Sequence, residues 1–323
     1  MRAALIREIG GVPEPAEVDP PERDSGRALV EMRAVPLNPI DIALASGKHY
    51  IGPPKTPYIP GSEGVGTIVE GGSIEPGTRV YISDDRLGGR GREGTLAGLA
   101  TVIEEEAFPL PDDVSDELAG ACGTAGLAGW LPVAWRAGVG PGDRVLVLGG
   151  TGTVGLAAVQ AARLKGAERV VAAGRRPEGL AAAQEVGADA AVRLDDGDLA
   201  AALKEATGGD GPTVVIDPLW GEPLVAALEA AAPGARIVQI GQSAGATAML
   251  ASGAVRGKQL EVYGYSNFEV PAETRRAAYA ELVGHAARGE FRFPIETYPF
   301  ERVREAWERQ AAGPRAKLVV RLD

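Results

Sequence analysis

The sequence predicts an α/β protein in which a doubly wound parallel sheet is joined to a second, mostly β domain. Between about residues 118 and 265, short apolar runs rich in β-branched residues alternate with alanine-rich helical stretches, the pattern of a parallel sheet. Before this region, strand-like runs alternate with prolines and glycines, which is typical of an irregular β domain. The chain of 323 residues is long enough for about two domains.

The first region, up to about residue 117, reads as strands and loops. Residues 29–35 and 64–70 are short, β-branched and partly alternating, as expected of strands with one buried face. Prolines and glycines separate these runs, so the pattern predicts an irregular, mostly β domain.

The middle region contains six expected strands and four expected helices. The strands are 144–148, 169–173, 190–194, 213–217, 236–240 and 260–263; the helices lie near 154–166, 178–187, 198–207 and 222–232. Because the strands are almost continuously apolar, we expect both faces of the sheet to be covered. The uncharged run 118–135 carries four glycines and a proline, and we interpret it as a buried glycine-rich segment rather than a membrane span.

The tail has a different pattern. Residues 272–289 and 302–312 predict helices, and residues 317–322 predict a closing strand. Such a tail can return to the first domain and make that domain discontinuous.

The charge and the cysteine count exclude several classes of protein. The net charge of −11, without a local basic patch, argues against nucleic-acid binding. A single cysteine, Cys122, excludes an intramolecular disulfide and a multi-cysteine zinc lobe. The first residues become charged again at Arg7 and Glu8, too soon for a signal peptide. We expect a cytoplasmic protein with no membrane partner.

The strongest local motif is a glycine-rich turn between an expected strand and an expected helix. Gly150, Gly152 and Gly155 have the spacing G-x-G-x-x-G, and residues 144–148 precede them as an apolar strand. In this context the motif predicts a Rossmann dinucleotide site, with the pyrophosphate on the helix N-terminus. The backbone and side chains of Thr151, Thr153 and Val154 belong to the same predicted site.

The end of the next strand indicates which dinucleotide binds. NAD-binding domains usually carry an acidic residue here, about 20 residues after the turn, to hold the ribose hydroxyls. This chain has Gly174-Arg175-Arg176 instead, and no acidic residue lies between Glu168 and Glu178. Two guanidinium groups suit a 2′-phosphate, so the sequence favours NADPH over NADH.

Segments along the whole chain resemble the medium-chain dehydrogenase/reductase superfamily, in its zinc-free quinone oxidoreductase branch. The segments are Asn38-Pro-Ile-Asp41, Pro60-Gly-Ser-Glu-Gly64, Gly77-Thr-Arg-Val80, Pro109-Leu-Pro111, Gly123-Thr-Ala-Gly126, the glycine turn, Val215-Ile-Asp217 and Ala316-Lys-Leu-Val-Val320. The resemblance implies a GroES-like catalytic domain from residues 1–117 and 268–323, around a Rossmann domain from 118–267. It also implies a homodimer.

The resemblance also bears on metal. Zinc-dependent members use Cys, His and Cys around catalytic zinc, whereas this chain has Asn38 in the region of the first ligand and Ser62 in place of the histidine. Only Cys122, near the third position, remains, and catalytic zinc usually needs three protein ligands. We therefore expect no metal site, and we interpret Cys122 as a buried residue and Glu63 as a structural partner. Without a Lewis acid, the expected reaction is reduction of an already activated acceptor.

Three residues are candidates for the chemistry. The resemblance places Asn38 near the nicotinamide, where its amide could donate to the acceptor oxygen as negative charge develops; the alternative is an Asn-Pro turn residue. Related reductases often carry a substrate-binding tyrosine near Tyr50, although His49 occupies that position by direct counting. Either side chain could donate a proton or simply line the wall of the site. For Asp41, a purely structural hydrogen-bonding role is favoured over one in orienting the Asn38 loop.

Further cofactor contacts are expected at the ends of the later strands, because open α/β sheets bind ligands there. Thr124 and Arg315 are added by resemblance. The additional candidates are Gly241, Gln242, Ser243, Ser266 and Asn267. Asp217 also ends a strand, and a structural role and a ligand role remain open for it.

These observations predict an NADPH-dependent, zinc-independent reductase of a small quinone or an α,β-unsaturated carbonyl. One alternative is a reductase of a biosynthetic intermediate such as an enoyl thioester. Another is a non-catalytic NADP-binding protein. The pattern does not name the physiological substrate.

Overall fold

The computed structural model describes residues 1–49, 52–83, 88–89 and 93–322. The first part of the chain forms β1 (Arg2–Leu5), β2 (Glu14–Glu17), β3 (Arg27–Pro36), α1 (Pro39–Ala45), β4 (Glu63–Glu70), β5 (Arg79–Ser83), β6 (Leu99–Ile103), β7 (Ala107–Pro109) and α2 (Asp116–Ala121). The middle part begins with α3 (Leu127–Leu131), β8 (Arg144–Leu148), α4 (Thr153–Leu164), β9 (Arg169–Gly174), α5 (Pro177–Glu185) and β10 (Ala190–Arg193). It continues with α6 (Leu199–Ala206), β11 (Val214–Asp217), α7 (Gly221–Ala230), β12 (Arg236–Gln239), α8 (Ser252–Gly257) and β13 (Glu261–Gly264). The tail forms α9 (Ala272–Ala287), β14 (Ile295–Pro299), α10 (Val303–Ala311) and β15 (Lys317–Arg321).

The chain divides into two compact units. Unit 1 contains residues 1–124 and 271–323, and unit 2 contains residues 125–270. The change of sequence pattern placed the boundaries after residues 117 and 267. The first boundary falls later in the structure because residues 118–124 pack with unit 1, where the Thr124 backbone N–H donates to Glu63.

Unit 1 is built on a seven-stranded sheet that joins both ends of the chain. Its strand order is β14-β15-β3-β4-β5-β7, with β6 paired to β3. The tail strand β15 is parallel to β14 and antiparallel to β3. Buried side chains from both chain ends, including Val30, Ile68, Trp307 and Leu318, share one hydrophobic core. The discontinuous domain expected from the tail pattern is therefore the observed arrangement.

Unit 2 is the doubly wound parallel sheet that the sequence predicts. Its strand order is β10-β9-β8-β11-β12-β13, and every neighbouring pair is parallel. The central strands are apolar and almost fully buried, because helices cover both faces. The carboxyl ends of these strands meet at one edge, which brings together the loops after β8, β9, β11, β12 and β13.

Two parts of the fold differ from the sequence interpretation. Residues 118–135, read as a glycine-rich segment, are largely buried and largely helical, with a break at Gly123, whose φ of −62° and ψ of −125° are not helical. Their small residues give no clear apolar periodicity, so sequence alone shows burial but no helix. Strand β14 and helix α8 were not predicted. Within the described part of the chain, no helix combines the length and apolar character needed to cross a bilayer.

Candidate functional site: a dinucleotide cradle and a buried polar cluster

The glycine turn in unit 2 connects β8 to α4 with very little space between helix and turn. Gly149 has a φ of 62°, which favours glycine. A Cβ at Gly155 would lie 2.2 Å from the Gly149 carbonyl oxygen and 2.7 Å from the Gly150 Cα. A side chain at Gly155 would therefore push α4 away from the turn.

The middle glycine of the turn is different, because the protein's own packing does not require it. Gly152 caps α4 in an extended conformation, and no side chain caps the helix there. A Cβ at Gly152 would approach only the Gly149 oxygen, at 3.7 Å. The space before the N-terminus of α4 is thus open, and the unpaired N–H groups and the helix dipole favour an anion in it. These residues fit a dinucleotide pyrophosphate.

Thr151 connects this turn to the end of β9. A Cβ at Gly174 would lie 2.3 Å from the Thr151 Cγ2, and one at Gly179 would lie 2.6 Å from the Thr151 Cβ. Since both glycines make room for the threonine, the chain after β9 passes close to the glycine turn. Arg175 and Arg176 follow at once and are exposed.

A third arginine, which sequence reasoning missed, lies near this edge. Arg193 ends β10 in register with Gly174, and it pairs with Asp195 at 2.7 Å and with Asp196 at 3.4 Å. The hydrogen bond from Arg193 is the main cause of the lowered pKa of Asp195, and the charge of Arg175 adds to it. Arg193 could have been identified from the sequence, because it lies at the end of β10, the parallel strand next to β9.

The loop after β11 is held by Asp217. The Asp217 Oδ1 accepts from the backbone N–H of Leu219 at 2.8 Å and of Trp220 at 2.9 Å, where Trp220 has a φ of 58°. Burial raises the pKa of this carboxyl. The sequence left a structural role and a ligand role open for Asp217. For its Oδ1, the structure shows the structural role.

The remaining candidates in unit 2 lie at the same edge of the sheet. Ser243 donates to the Pro218 carbonyl from its backbone N–H at 3.3 Å and from its hydroxyl at 3.2 Å. A Cβ at Gly241 would lie 2.7 Å from the same carbonyl oxygen. Gln242 belongs to this loop, and Ser266 and Asn267 follow β13, where Asn267 accepts from Tyr265. Their predicted contacts with a cofactor stay predictions.

In unit 1, a buried polar cluster surrounds Glu63 at the start of β4. Glu63 is fully buried and accepts from the Asn38 Nδ2 at 2.7 Å, the Tyr81 hydroxyl at 2.6 Å and the Thr124 backbone N–H at 2.6 Å. A Cβ at Gly123 would lie 2.3 Å from the Glu63 Oε2, so this glycine lets the chain approach the carboxylate. Asn38 and Thr124, both predicted to lie near the nicotinamide, therefore share one partner.

Lys317, at the start of β15, supplies the positive charge of the cluster. Its Nζ donates to the Asn38 Oδ1 at 2.5 Å and to the Leu37 carbonyl at 3.0 Å, and it lies 3.4 Å from the Glu63 Oε1. Burial lowers the pKa of Lys317, while Glu63 and Asp41 oppose that effect. Lys317 was not predicted from the sequence. The signal that could have identified it was a single charged residue at the start of an apolar strand.

Asp41 completes the cluster from the first turn of α1. Its Oδ2 accepts from the Asn38 backbone N–H at 2.8 Å, so it orients the Asn38 loop. Burial raises the pKa of Asp41 to about 6. The hydrogen bonds from the Asn38 backbone and the Ser62 side chain oppose this rise.

The remaining candidate residues of unit 1 are His49, Tyr50, Cys122 and Arg315. His49 is half-buried in the loop after α1, and Arg315 is exposed just before β15. Tyr50 lies outside the described residues. Cys122 is buried, and burial raises the pKa of its thiol. In the described ranges, no three His, Cys, Asp or Glu side chains are grouped to hold a metal ion.

Comparison with known proteins adds to these observations. The family model described as the alcohol dehydrogenase GroES-like domain matches residues 24–112. The model described as zinc-binding dehydrogenase matches residues 153–283. The first match includes Asn38 and Glu63, the second begins at the glycine turn, and together they define a two-domain dehydrogenase.

Individual relatives agree with this class. The quinone oxidoreductase of Homo sapiens is 27% identical over 333 residues, covering 100% of this chain and 98% of the relative. A phenolphthiocerol/phthiocerol polyketide synthase protein of Mycobacterium tuberculosis is 28% identical over 309 residues. That match covers 90% of this chain, but the chain spans only 13% of the length of the synthase protein.

Solved structures lead to the same family. A structure named NAD-dependent alcohol dehydrogenase has a TM-score of 0.87 and 26% identity, with 100% of both chains covered. A mycobacterial quinone oxidoreductase has a TM-score of 0.88 at 23% identity, again over 100% of both chains, and shows the shared fold. The chain belongs to the medium-chain dehydrogenase/reductase superfamily and is quinone oxidoreductase-like within it. Members of this family bind nicotinamide cofactors.

Proposed function

We propose that the protein is an NADPH-dependent, zinc-independent reductase that transfers a hydride to a quinone or an α,β-unsaturated carbonyl. The main support for this proposal is the open space at Gly152, before the N-terminus of α4, which a bound ligand would fill. Gly150 to Gly155 would hold the pyrophosphate through backbone N–H groups.

The choice of NADPH rests on the chain after β9. Arg175 and Arg176 are exposed beside the turn and would bind the 2′-phosphate, and the loop has no acidic residue for the ribose hydroxyls. The aspartates near this edge are on the β10 side, where Arg193 pairs with Asp195. A hydrogen bond to a charged group contributes roughly 1.5–3 kcal/mol, which corresponds to a preference of about tenfold to over a hundredfold.

Zinc independence is supported by the donors around Asn38. In place of thiolate and imidazole ligands, this part of unit 1 has Asn38 and Ser62, and the Glu63 carboxylate beside them is paired with the buried ammonium of Lys317. An ammonium at 2.5 Å from the Asn38 Oδ1 is a poor neighbour for a second cation.

The proposed chemistry follows from these groups. Bound NADPH supplies the hydride, and an activated acceptor gains negative charge on its oxygen as a carbon accepts that hydride. Asn38 and Thr124 are proposed near the nicotinamide by family resemblance, Asn38 as a hydrogen-bond donor to that oxygen. His49 and Tyr50 are the proposed proton donors. Gly174, the Gly241–Ser243 loop, Ser266, Asn267 and Arg315 complete the proposed cofactor site.

A second candidate substrate class is an enoyl thioester. It is favoured by the similarity of 90% of this chain to part of a polyketide synthase protein, since such synthases build acyl chains. The chemistry is the same, because a thioester carbonyl activates the double bond in the way that a ketone does.

We also propose a homodimer. Strand β13 is the last strand of its sheet, and Val262 within it is 40% exposed. Trp135 is 42% exposed in the same unit. An edge strand with exposed apolar side chains suits pairing with a second copy.

Steady-state assays with quinones, enones and enoyl thioesters test the proposed function, with NADPH and NADH compared for each. We expect turnover of at least one class with NADPH. Tight NADPH binding without turnover of any of them would favour a non-catalytic NADP-binding protein. Equal use of NADH would contradict the assignment of the cofactor.

A further inference from the structure

The carboxamide of Asn38 is held between two partners of opposite kind. A carboxylate can only accept hydrogen bonds, and Glu63 faces the Asn38 Nδ2. An ammonium can only donate, and Lys317 faces the Asn38 Oδ1. The nitrogen and oxygen of an asparagine side chain are otherwise easily exchanged by a half-turn, and these partners allow only one arrangement.

We propose that Glu63 and Lys317 are positioning residues that lock the Asn38 carboxamide in the orientation needed for hydride transfer, while Glu63 also fixes the backbone at Thr124. This inference rests on the proposed function, in which Asn38 and Thr124 lie near the nicotinamide. In this proposal, two residues that are distant in sequence orient Asn38, and neither of them contacts substrate.

Asn38 is only 2% exposed, and its second Nδ2 hydrogen has one long contact in the protein. One Nδ2 hydrogen goes to Glu63 at 2.7 Å, and the contact of Nδ2 with the Pro36 carbonyl is long, at 3.5 Å. The second hydrogen therefore has a weak partner in the protein. We assign the donation to the acceptor oxygen to this hydrogen, which a flipped carboxamide could not make.

The two charges also depend on each other. Glu63 is fully buried and Lys317 is 4% exposed, so neither charge is compensated by water. Removal of Lys317 leaves the Glu63 charge buried without this cation, and removal of Glu63 leaves Lys317 with only the Asp41 charge that also acts on it, so either change is destabilising. The lock thus needs both residues, although only one of them contacts Thr124.

The first test is Glu63→Gln, which keeps the shape of the side chain but introduces a donor. The new amide must accept from Thr124 and Tyr81, so its nitrogen is turned toward Asn38, where it meets another donor. We expect kcat to fall about tenfold to a hundredfold. The dissociation constant for NADPH should change less than threefold, since most of the proposed phosphate contacts lie in unit 2.

Tyr81→Phe is the matched control, because it removes one hydrogen bond to Glu63 without reversing the polarity seen by Asn38. Its kcat should stay within about threefold of wild type. Equal losses of kcat in Glu63→Gln and Tyr81→Phe would mean that the cluster is only structural, and would overturn the proposal.

The double variant Glu63→Gln/Asn38→Asp separates stability from positioning. A carboxylate at position 38 accepts from both the new amide and Lys317, so the melting temperature lost in Glu63→Gln should be regained. It has no N–H to donate, so kcat should stay low. Recovery of kcat together with the melting temperature would overturn the proposal.

A measurement that does not depend on turnover tests the orientation of the Asn38 carboxamide separately from the proposed function. In the wild-type protein, the two side-chain amide protons of Asn38 should have separate NMR signals, one shifted downfield by the bond to Glu63. In Glu63→Gln that proton should move upfield, whereas in Tyr81→Phe it should stay. If it does not move in Glu63→Gln, the lock is absent, whatever substrate the protein reduces. If it moves but no quinone, enone or enoyl thioester is reduced by wild type, the proposed function fails and, with it, the assignment of the lock to hydride transfer.

Discussion

At the scale of single residues, the polar side chains buried in unit 1 account for the placement of Asn38. Asp41 accepts from its backbone, Glu63 from its nitrogen, and Lys317 donates to its oxygen. Each buried group is expensive without a partner, so the cluster specifies one arrangement rather than adding much stability. Asp41 is the member whose charge state can be tested directly.

The stability of the Asp41→Asn variant relative to the wild type should increase as the pH rises. Burial raises the pKa of Asp41 from 3.8 to about 6, so between these values the folded protein binds a proton that the unfolded chain has lost. This group therefore makes the wild type less stable as the pH rises from about 4 to 6. An amide does not ionise, so the variant should gain about 3 kcal/mol relative to wild type across that window.

Urea unfolding of both proteins at pH 4 and pH 7 measures this difference. Asp210→Asn, at an exposed site, controls for the loss of one negative charge. A difference between Asp41→Asn and wild type that does not change with pH would show that Asp41 is not held in a raised-pKa environment.

At the scale of secondary-structure elements, the β8–α4 turn uses its glycines for different purposes. Gly155 permits helix–turn contact, whereas Gly152 leaves space that the protein does not fill. The sequence predicted the turn because its motif is local and the flanking strand and helix are strongly patterned. The same locality explains why β8 was predicted with its observed bounds, and why the nearly patternless residues 118–135 were not recognised as helical.

Gly152→Val should abolish binding of both NADPH and NADH while the fold stays intact. The φ of −94° and ψ of 167° at this position are compatible with a β-branched residue, and the nearest atom to an added Cβ is 3.7 Å away. The side chain would occupy the proposed pyrophosphate position. Isothermal titration calorimetry and thermal melting measure the two effects.

Gly155→Ala is the contrasting variant, because its Cβ would lie 2.2 Å from the Gly149 oxygen. It should lower the melting temperature, which Gly152→Val should not. Unchanged cofactor affinity in Gly152→Val would remove this turn from the cofactor site.

The loop between β9 and α5 is the proposed basis of the choice between the two nicotinamide cofactors. The double variant Arg175→Ala/Arg176→Ala should weaken NADPH binding by about tenfold to over a hundredfold and leave NADH binding nearly unchanged, since only NADPH carries the 2′-phosphate. Fluorescence titration with each cofactor checks this. Arg256→Ala, at an exposed position on α8, is the control for loss of charge. Equal weakening of both cofactors would show that these arginines do not bind the phosphate.

At the scale of the whole molecule, sequence predicted the two-domain class and the parallel sheet, but not the buried cluster. Lys317 is 279 residues from Asn38 and 254 from Glu63, so no local pattern joins them. The pairing arises only when β15 enters the sheet of unit 1 beside β3. These long-range partners of Asn38 were accordingly harder to predict than the glycine turn, which lies within one short segment.

The purified protein should contain no stoichiometric zinc, and chelators should not abolish its activity. Asn38 and Ser62 stand where zinc-dependent relatives have metal ligands, and the neighbouring Glu63 carboxylate is paired with the Lys317 ammonium, which repels a second cation. Elemental analysis by mass spectrometry, with activity measured before and after treatment with EDTA, checks both statements. One zinc per chain, lost together with activity, would overturn the assignment to the zinc-independent branch.

The place of β15 in the sheet has a consequence for biosynthesis. Residues 125–270 leave the ribosome as one continuous stretch before Lys317 has been made, and domains generally fold as units during synthesis. The nascent chain therefore carries Glu63 without its counter-ion, and β3 without its neighbour β15, throughout the synthesis of unit 2. The end of β3, at residues 34–36, therefore stays without its strand partner until the end of synthesis.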